Sequence, residues 1–289
     1  MSWRKEAIWA AIAAVPDTSR GVVSALLEAR DVSRLDFERT LASPEHSISY
    51  AQKSLIDIWI APAQLDPALT LLPHVLSQHD RNRGECFKVN TQRVRWLATR
   101  AMLRLALTAK TRGRVRPADW ELEYDTLGRP TVVAGLPQLN FSVSHCEYGS
   151  AIAISEDFDL GIDVESLDQP VDSGILTHFA SARERLALQQ KSHSDRAPAF
   201  LKLWTLKEAY AKLLGLGLAA DFSSIDFGFD PIRLIGRDRD GAFRTSAVSL
   251  NGHACQVTLA LAEQNVRPLR GTGASWCSNC NATSTEEAA

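Results

Sequence analysis

Asp163, Glu165 and Glu208, together with Lys207 and Lys212, are the residues here whose types and spacing could do chemistry. The acids Asp163 and Glu165 lie in Asp159-Leu-Gly-Ile-Asp163-Val-Glu165. Glu208 and both lysines lie further on, in Trp204-Thr-Leu-Lys207-Glu208-Ala-Tyr-Ala-Lys212. Three carboxylates suit a hard divalent cation, and ammonium groups suit phosphate. Upstream, Leu139-Asn-Phe-Ser-Val-Ser144-His145 ends in a hydroxyl and an imidazole, which can together hold one phosphate. Taken singly, each stretch also has a plain structural explanation. Alternating charge on a strand is commonly a solvated sheet face, and Lys-Glu-x-x-x-Lys is commonly a surface helix with an internal ion pair.

The elements that must position these groups follow from periodicity. The Asp159 segment alternates, so a strand is expected, with Asp159, Gly161, Asp163 and Glu165 on one face and Leu160, Ile162 and Val164 toward a core. The Trp204 segment reads as a helix ending at Gly215-Leu-Gly217. In it Glu208 and Lys212 stack, and Lys207 is turned away by about a quarter-turn. Leu139–Ser144, Ala151–Ser155 and Leu160–Glu165 are expected to form a three-stranded antiparallel meander, with Phe141 and Val143 inward and Ser142 and Ser144 outward. Other strands are expected at 55–60, 120–124, 225–229, 242–248 and 254–260, and a turn at 127–130. Helices are expected around 67–76, over 85–109 and over 181–190. The 85–109 helix has an apolar stripe through Val94, Leu97, Ala98, Ala101, Leu105 and Ala106, with Arg93, Arg95, Arg100 and Arg104 around the rest. Residues 1–47 read as a helical extension, and residues from about 267 onward as a disordered polar tail.

The 289 residues carry a net charge of −2, but the charge is unevenly distributed. Between Arg81 and Arg116 there are eleven Lys and Arg and a single acid, Glu85. That stretch can concentrate an anionic ligand. Five scattered cysteines do not form a disulfide framework, which favours a reducing, cytoplasmic compartment. Cys277-Ser-Asn-Cys280 stands alone in the tail, without the second pair or His that a zinc site needs. No apolar run reaches the roughly eighteen residues of a membrane span.

In order along the chain, Gly128-Arg129-Pro130, Phe141-Ser-Val-Ser144-His145, Gly161-Ile-Asp163-Val-Glu165 and Trp204-x-x-Lys207-Glu208-Ala-x-x-Lys212 resemble the motifs of the Sfp-type 4′-phosphopantetheinyl transferases. Arg129 stands where that family has Lys. The resemblance implies transfer of the phosphopantetheine arm of coenzyme A to a serine of an apo acyl or peptidyl carrier protein, with release of 3′,5′-ADP. It implies Asp163, Glu165 and Glu208 as magnesium ligands, with Glu208 also the base. It implies Lys207 and Lys212 as catalytic phosphate-neutralising groups. Ser144, His145, Arg129, Arg95 and Lys212 are implied as coenzyme A contacts. The implied fold is α+β, with two similar halves related by a pseudo-twofold, each a small antiparallel sheet packed with helices. The halves would span 48–157 and 158–266, the second holding the metal site, and the chain would act as a monomer without nucleic acid or membrane. A magnesium-dependent nuclease using Asp163, Glu165 and Lys207 is the competing enzyme reading. A non-catalytic interaction protein would leave the carboxylates unexplained.

Overall fold

The computed structural model describes residues 38–39, 56–62, 75–169, 174–229, 232–235 and 242–263. The expected tail, the Cys277/Cys280 pair and most of the 1–47 and 67–76 segments lie outside these residues.

In chain order the strands are β1 (Glu38–Arg39), β2 (Ile56–Pro62), β3 (Leu122–Tyr124), β4 (Pro130–Val132), β5 (Asn140–Cys146), β6 (Gly149–Ser155), β7 (Phe158–Ser166), β8 (Asp226–Phe229), β9 (Ile232–Ile235), β10 (Ala242–Leu250) and β11 (His253–Glu263). The α-helices are α1 (Gln78–Glu85), α2 (Asn90–Lys110), α3 (Ile175–Phe179), α4 (Ala182–Gln189) and α5 (His193–Leu214). The class is α+β. One antiparallel sheet has the order β2-β6-β5, and another the order β1-β10-β11-β7; β3-β4 and β8-β9 are separate hairpins. No described helix is long and apolar enough to cross a membrane.

Four layers result. Met102, Leu103, Ala106 and Leu107 of α2 pack on Trp59, Phe141, Ile152 and Ile154 of the first sheet. The other face of that sheet, through Ile58, Ile60, Ala151 and Ala153, meets Leu160, Ile162, Val164, Val257 and Leu259 of the second. Leu206, Ala209, Tyr210 and Leu213 of α5 cover the far side of the second sheet around Ala260 and Ala262.

The expected meander is corrected here. β6 pairs with β5 and β2, whereas β7 pairs along its whole length with β11. The short link from Ser155 to Phe158 carries the chain from one sheet to the other. β5 and β7 still lie side by side, joined by side chains: Ser142 Oγ accepts from Ile162 N at 3.0 Å, and Ser144 Oγ accepts from Val164 N at 3.3 Å. Both hydroxyls are therefore buried, not outward as alternation predicts. The expected 85–109 helix starts late, at Asn90, and a separate helix, α1, N-capped by Ser77, precedes it. Arg104 leaves the expected solvated face of α2. It is buried, held by Asp80 at 2.5 Å and by the carbonyls of Pro117 and Trp120. Glu38–Arg39, inside the expected helical extension, pairs as a strand with β10.

Candidate active site

β7 and α5 supply most of the candidate groups, and Gly161 governs how close they come. A Cβ on Gly161 would fall on the Ala209 carbonyl oxygen and lie 2.5 Å from Leu213 N. Glycine thus allows the α5 backbone to rest on β7, directly beside Asp163 on the same strand face. α5 is further tied down by Thr205 Oγ1 and Thr258 Oγ1, 2.7 Å apart, opposite Asp163 in the β7–β11 register. Glu208 and Lys212, one turn apart, face β7, as helical spacing requires.

Three side chains meet there. Lys212 Nζ donates to Asp163 Oδ1 at 2.6 Å and to Ser144 Oγ at 3.0 Å. Ser144 Oγ in turn donates to Asp163 Oδ1 at 2.7 Å. Asp163 is 3% exposed, and its Oδ2 is buried without a hydrogen-bond partner among the described residues. A carboxylate oxygen in that position has lost water and gained nothing in return.

Glu165 and Glu208 stand in the same field. Burial, then the neighbouring Asp163 charge, pushes the Glu165 carboxyl up to about 8, only partly offset by Lys212. The same two causes push Glu208 up to about 7, again partly offset by Lys212. Three acids thus share one ammonium group, and the local charge is short of a cation. Among the described residues, no three acidic, His or Cys side chains already stand in cation-ligating geometry. The orphaned Oδ2 and the crowded carboxyls nevertheless suit a hard oxygen-liganded ion such as magnesium, which keeps several waters and needs few protein ligands.

Two cavities flank this cluster. One, of about 380 Å³, is lined by Arg95, His145, Cys146, Glu165, Asp168 and Gln169 among others. His145 is exposed on the cavity side; partial desolvation and the Arg95 and Lys212 cations lower its pKa, which favours the neutral imidazole. The other, of about 200 Å³, is lined by Arg129, Phe141, Ser142, Lys212 and Gly215 among others. Arg129 is presented by a tight turn. Asp125 Oδ1 accepts from Leu127 N and Arg129 N, and Gly128 takes a φ of 81°. Gly215, left-handed at φ 74°, ends α5 and makes room for Arg129, whose Nη1 would lie 3.0 Å from a Cβ there.

The fold therefore gathers Asp163, Glu165, Glu208, Lys212 and Ser144, with His145 and Arg95 in one adjoining cavity and Arg129 in the other. Lys207 is not brought to them. It is fully buried, pairs with Glu184 at 2.5 Å, and donates to the carbonyls of Phe179 and Phe222, each at 2.8 Å. Glu184 also accepts from Ser181 N and Phe227 N, each at 2.7 Å. Lys207 ties α5 to the end of α3 and to α4, Glu184 carries the link on to β8, and the nuclease reading loses the lysine it requires. Glu184 was open to sequence reasoning: Ser181-Ala-Arg-Glu184 is a capping box, which places that carboxylate at a helix start.

Known proteins resemble this chain over the same region. A model described as the 4′-phosphopantetheinyl transferase superfamily matches residues 159–258, from β7 through α5 into β11. A phosphopantetheinyl transferase of Thraustochytrium sp. is 29% identical over 181 residues, 58% of this chain and 62% of that enzyme. The match thus covers about three fifths of that relative's length. An L-aminoadipate-semialdehyde dehydrogenase-phosphopantetheinyl transferase of Eremothecium gossypii is 31% identical over 201 residues, 67% of each chain. A 4′-phosphopantetheinyl transferase of Bacillus pumilus is 35% identical over 102 residues, 35% of this chain and 42% of that one. With two thirds of the Eremothecium enzyme matched and the Asp163–Lys212 pair inside the superfamily span, the chain belongs to the 4′-phosphopantetheinyl transferase superfamily.

Proposed function

We propose that the chain transfers the 4′-phosphopantetheine arm of coenzyme A to a serine hydroxyl of an apo carrier protein, releasing 3′,5′-ADP, with a magnesium ion held by Asp163, Glu165 and Glu208. The observation that carries the site assignment is the Ser144–Asp163–Lys212 contact, with one Asp163 oxygen left buried and unsatisfied beside two crowded carboxyls. The ion, when bound, supplies positive charge that neutralises diphosphate oxygens and steadies the leaving nucleotide. Phosphoryl transfer otherwise demands positioning and charge compensation from the protein.

In this reading Lys212 and His145 orient the phosphates, Arg129 holds the nucleotide side, and Arg95 adds positive charge at the rim. The serine oxygen of the carrier bonds to the phosphorus of the pantetheine phosphate, the bond from that phosphorus to the nucleotide oxygen breaks, and the serine proton goes to Glu208. In the metal-free chain, burial and the Asp163 charge raise the Glu208 carboxyl, which favours its taking up that proton. The enzyme works as a monomer in a reducing compartment.

The test is direct. The protein is incubated with coenzyme A, magnesium and several apo carrier proteins, and each carrier is weighed by mass spectrometry. One carrier should gain the mass of a phosphopantetheine group. Glu208→Gln should lower the rate by about 10²-fold or more, the scale of a lost general base, with the melting temperature retained. No gain on any carrier, or an unimpaired Glu208→Gln enzyme, contradicts the proposal.

A further inference from the structure

Cys146, the last residue of β5, and Cys255, near the start of β11, belong to different sheets and are 109 positions apart, yet their sulfurs lie 4.0 Å from each other. Cys255 is fully buried in the layer between the sheets. Cys146 is 7% exposed and forms part of the wall of the 380 Å³ cavity beside Arg95 and His145. One thiol is reachable from solvent through that cavity, and the other stands behind it. An accessible cysteine backed by a resolving cysteine is the arrangement found in peroxide-responsive dithiols.

The two thiols are unequal. The Cys255 thiol hydrogen can be given to Cys146 Sγ or to the His253 carbonyl, 3.8 Å away. The Cys146 sulfur can accept from Cys255 and from the Tyr148 and Gly149 amides, with Arg95 nearby, and these contacts favour its thiolate. Cys255 is pushed the other way, first by the hydrogen bond it gives to Cys146 and then by burial.

We infer that Cys146 and Cys255 form a reversible disulfide on exposure to peroxide, and that this bond switches the enzyme off. The Cys146 thiolate attacks one peroxide oxygen, the O–O bond breaks, and the departing hydroxide takes up a proton as water, leaving Cys146 as a sulfenic acid. The Cys255 sulfur then attacks the Cys146 sulfur, its proton leaves with the hydroxyl as a second water, and the S–S bond forms. Two thiols are oxidised and one peroxide is reduced to two waters. Bond formation must draw the sulfurs together by about 2 Å. Cys146 is pulled off the cavity wall, and the end of β5 follows, with His145 adjoining it. Formation of the bond rests on this geometry alone; the loss of rate rests also on the transferase reading.

The full-length protein with Cys86→Ser, Cys277→Ser and Cys280→Ser is treated with equimolar hydrogen peroxide, alkylated, digested and mapped by mass spectrometry. A linked Cys146–Cys255 peptide is expected, reversed by dithiothreitol. Transfer of phosphopantetheine should fall about 10²-fold when the bond forms, the scale set by displacement of a positioning group, and return with the thiols. In Cys255→Ala no link can form, and Cys146 should be trapped as a sulfenic acid by dimedone. Separate alkylation of both cysteines after peroxide overturns the bond, and a fully linked enzyme with undiminished rate overturns the switch. Absence of transfer in the dithiol enzyme would count against the transferase reading alone, with the peptide map still deciding the disulfide.

Discussion

Lys207 and Lys212 sit on one helix five residues apart and have opposite fates. Lys212 keeps part of its surface and points at Asp163. Lys207 has no exposed surface and is consumed by Glu184 and two carbonyls. Removing one partner of a buried pair strands the other charge, so Lys207→Ala should destabilise the fold by about 3–5 kcal/mol. The midpoint of urea unfolding measures this, and the KM for coenzyme A in the folded enzyme should not change. Lys212→Ala also strands a buried carboxylate, Asp163, so its urea midpoint falls as well; what sets it apart from Lys207→Ala is a large loss of transfer in the folded enzyme. Sequence could not separate the two lysines, because helical spacing states which residues share a face but not what lies opposite. The partner of Lys207 comes from α4, a helix whose docking on α5 leaves no periodic signal in α5 itself.

At the scale of elements, the strand–helix pair β7–α5 was legible and the sheet it belongs to was not. Alternation through Leu160, Ile162 and Val164 and the run from Trp204 to Lys212 identify both elements and put Asp163 and Glu165 on one strand face and Glu208 and Lys212 on one helix face; only the packing of α5 on β7 brings the two faces together. Local pattern says nothing about whether β7 pairs with its neighbour in sequence, β6, or with the distant β11. Long-range pairing decides that, and here β11 wins. Gly161 was readable only as a gap in the charged face. Its function is the close approach of α5, and this can be tested: Gly161→Ala should push the helix away from β7. An overpacked contact of this kind costs about 1–3 kcal/mol. A more telling outcome is the loss of the thermal shift given by coenzyme A with magnesium, because Glu208 and Lys212 retreat from Asp163. If that shift stayed at its wild-type size, the spacing between β7 and α5 would not be what organises the site.

For the molecule as a whole, the crowded carboxyls tie stability to pH. Glu165 and Glu208 keep their protons to about 8 and about 7 in the folded chain, against an ordinary value of 4.5. Between that ordinary value and those raised ones, the folded chain binds more protons than the unfolded chain. Their contribution is therefore complete at the acidic end of the window and is lost as pH rises through it. The melting temperature without added metal should fall from pH 6 to pH 9, on the order of a few degrees. Magnesium should recover more of it at pH 9 than at pH 6, since a bound cation stabilises the charged form. Glu165→Gln should flatten the fall; an equally steep fall in that variant would mean that other groups set the pH response.

The seam between β5 and β7 has a bearing on how far the chain can be divided. Each strand is the outer edge of its sheet, and each edge is closed by the other through the hydroxyls of Ser142 and Ser144. Cutting the chain between β6 and β7 would leave two raw edges with unpaired amides, surfaces on which β proteins aggregate. With both strands in one chain, each edge is covered at any protein concentration, the serines standing on one side of the seam and the carboxylates on the other.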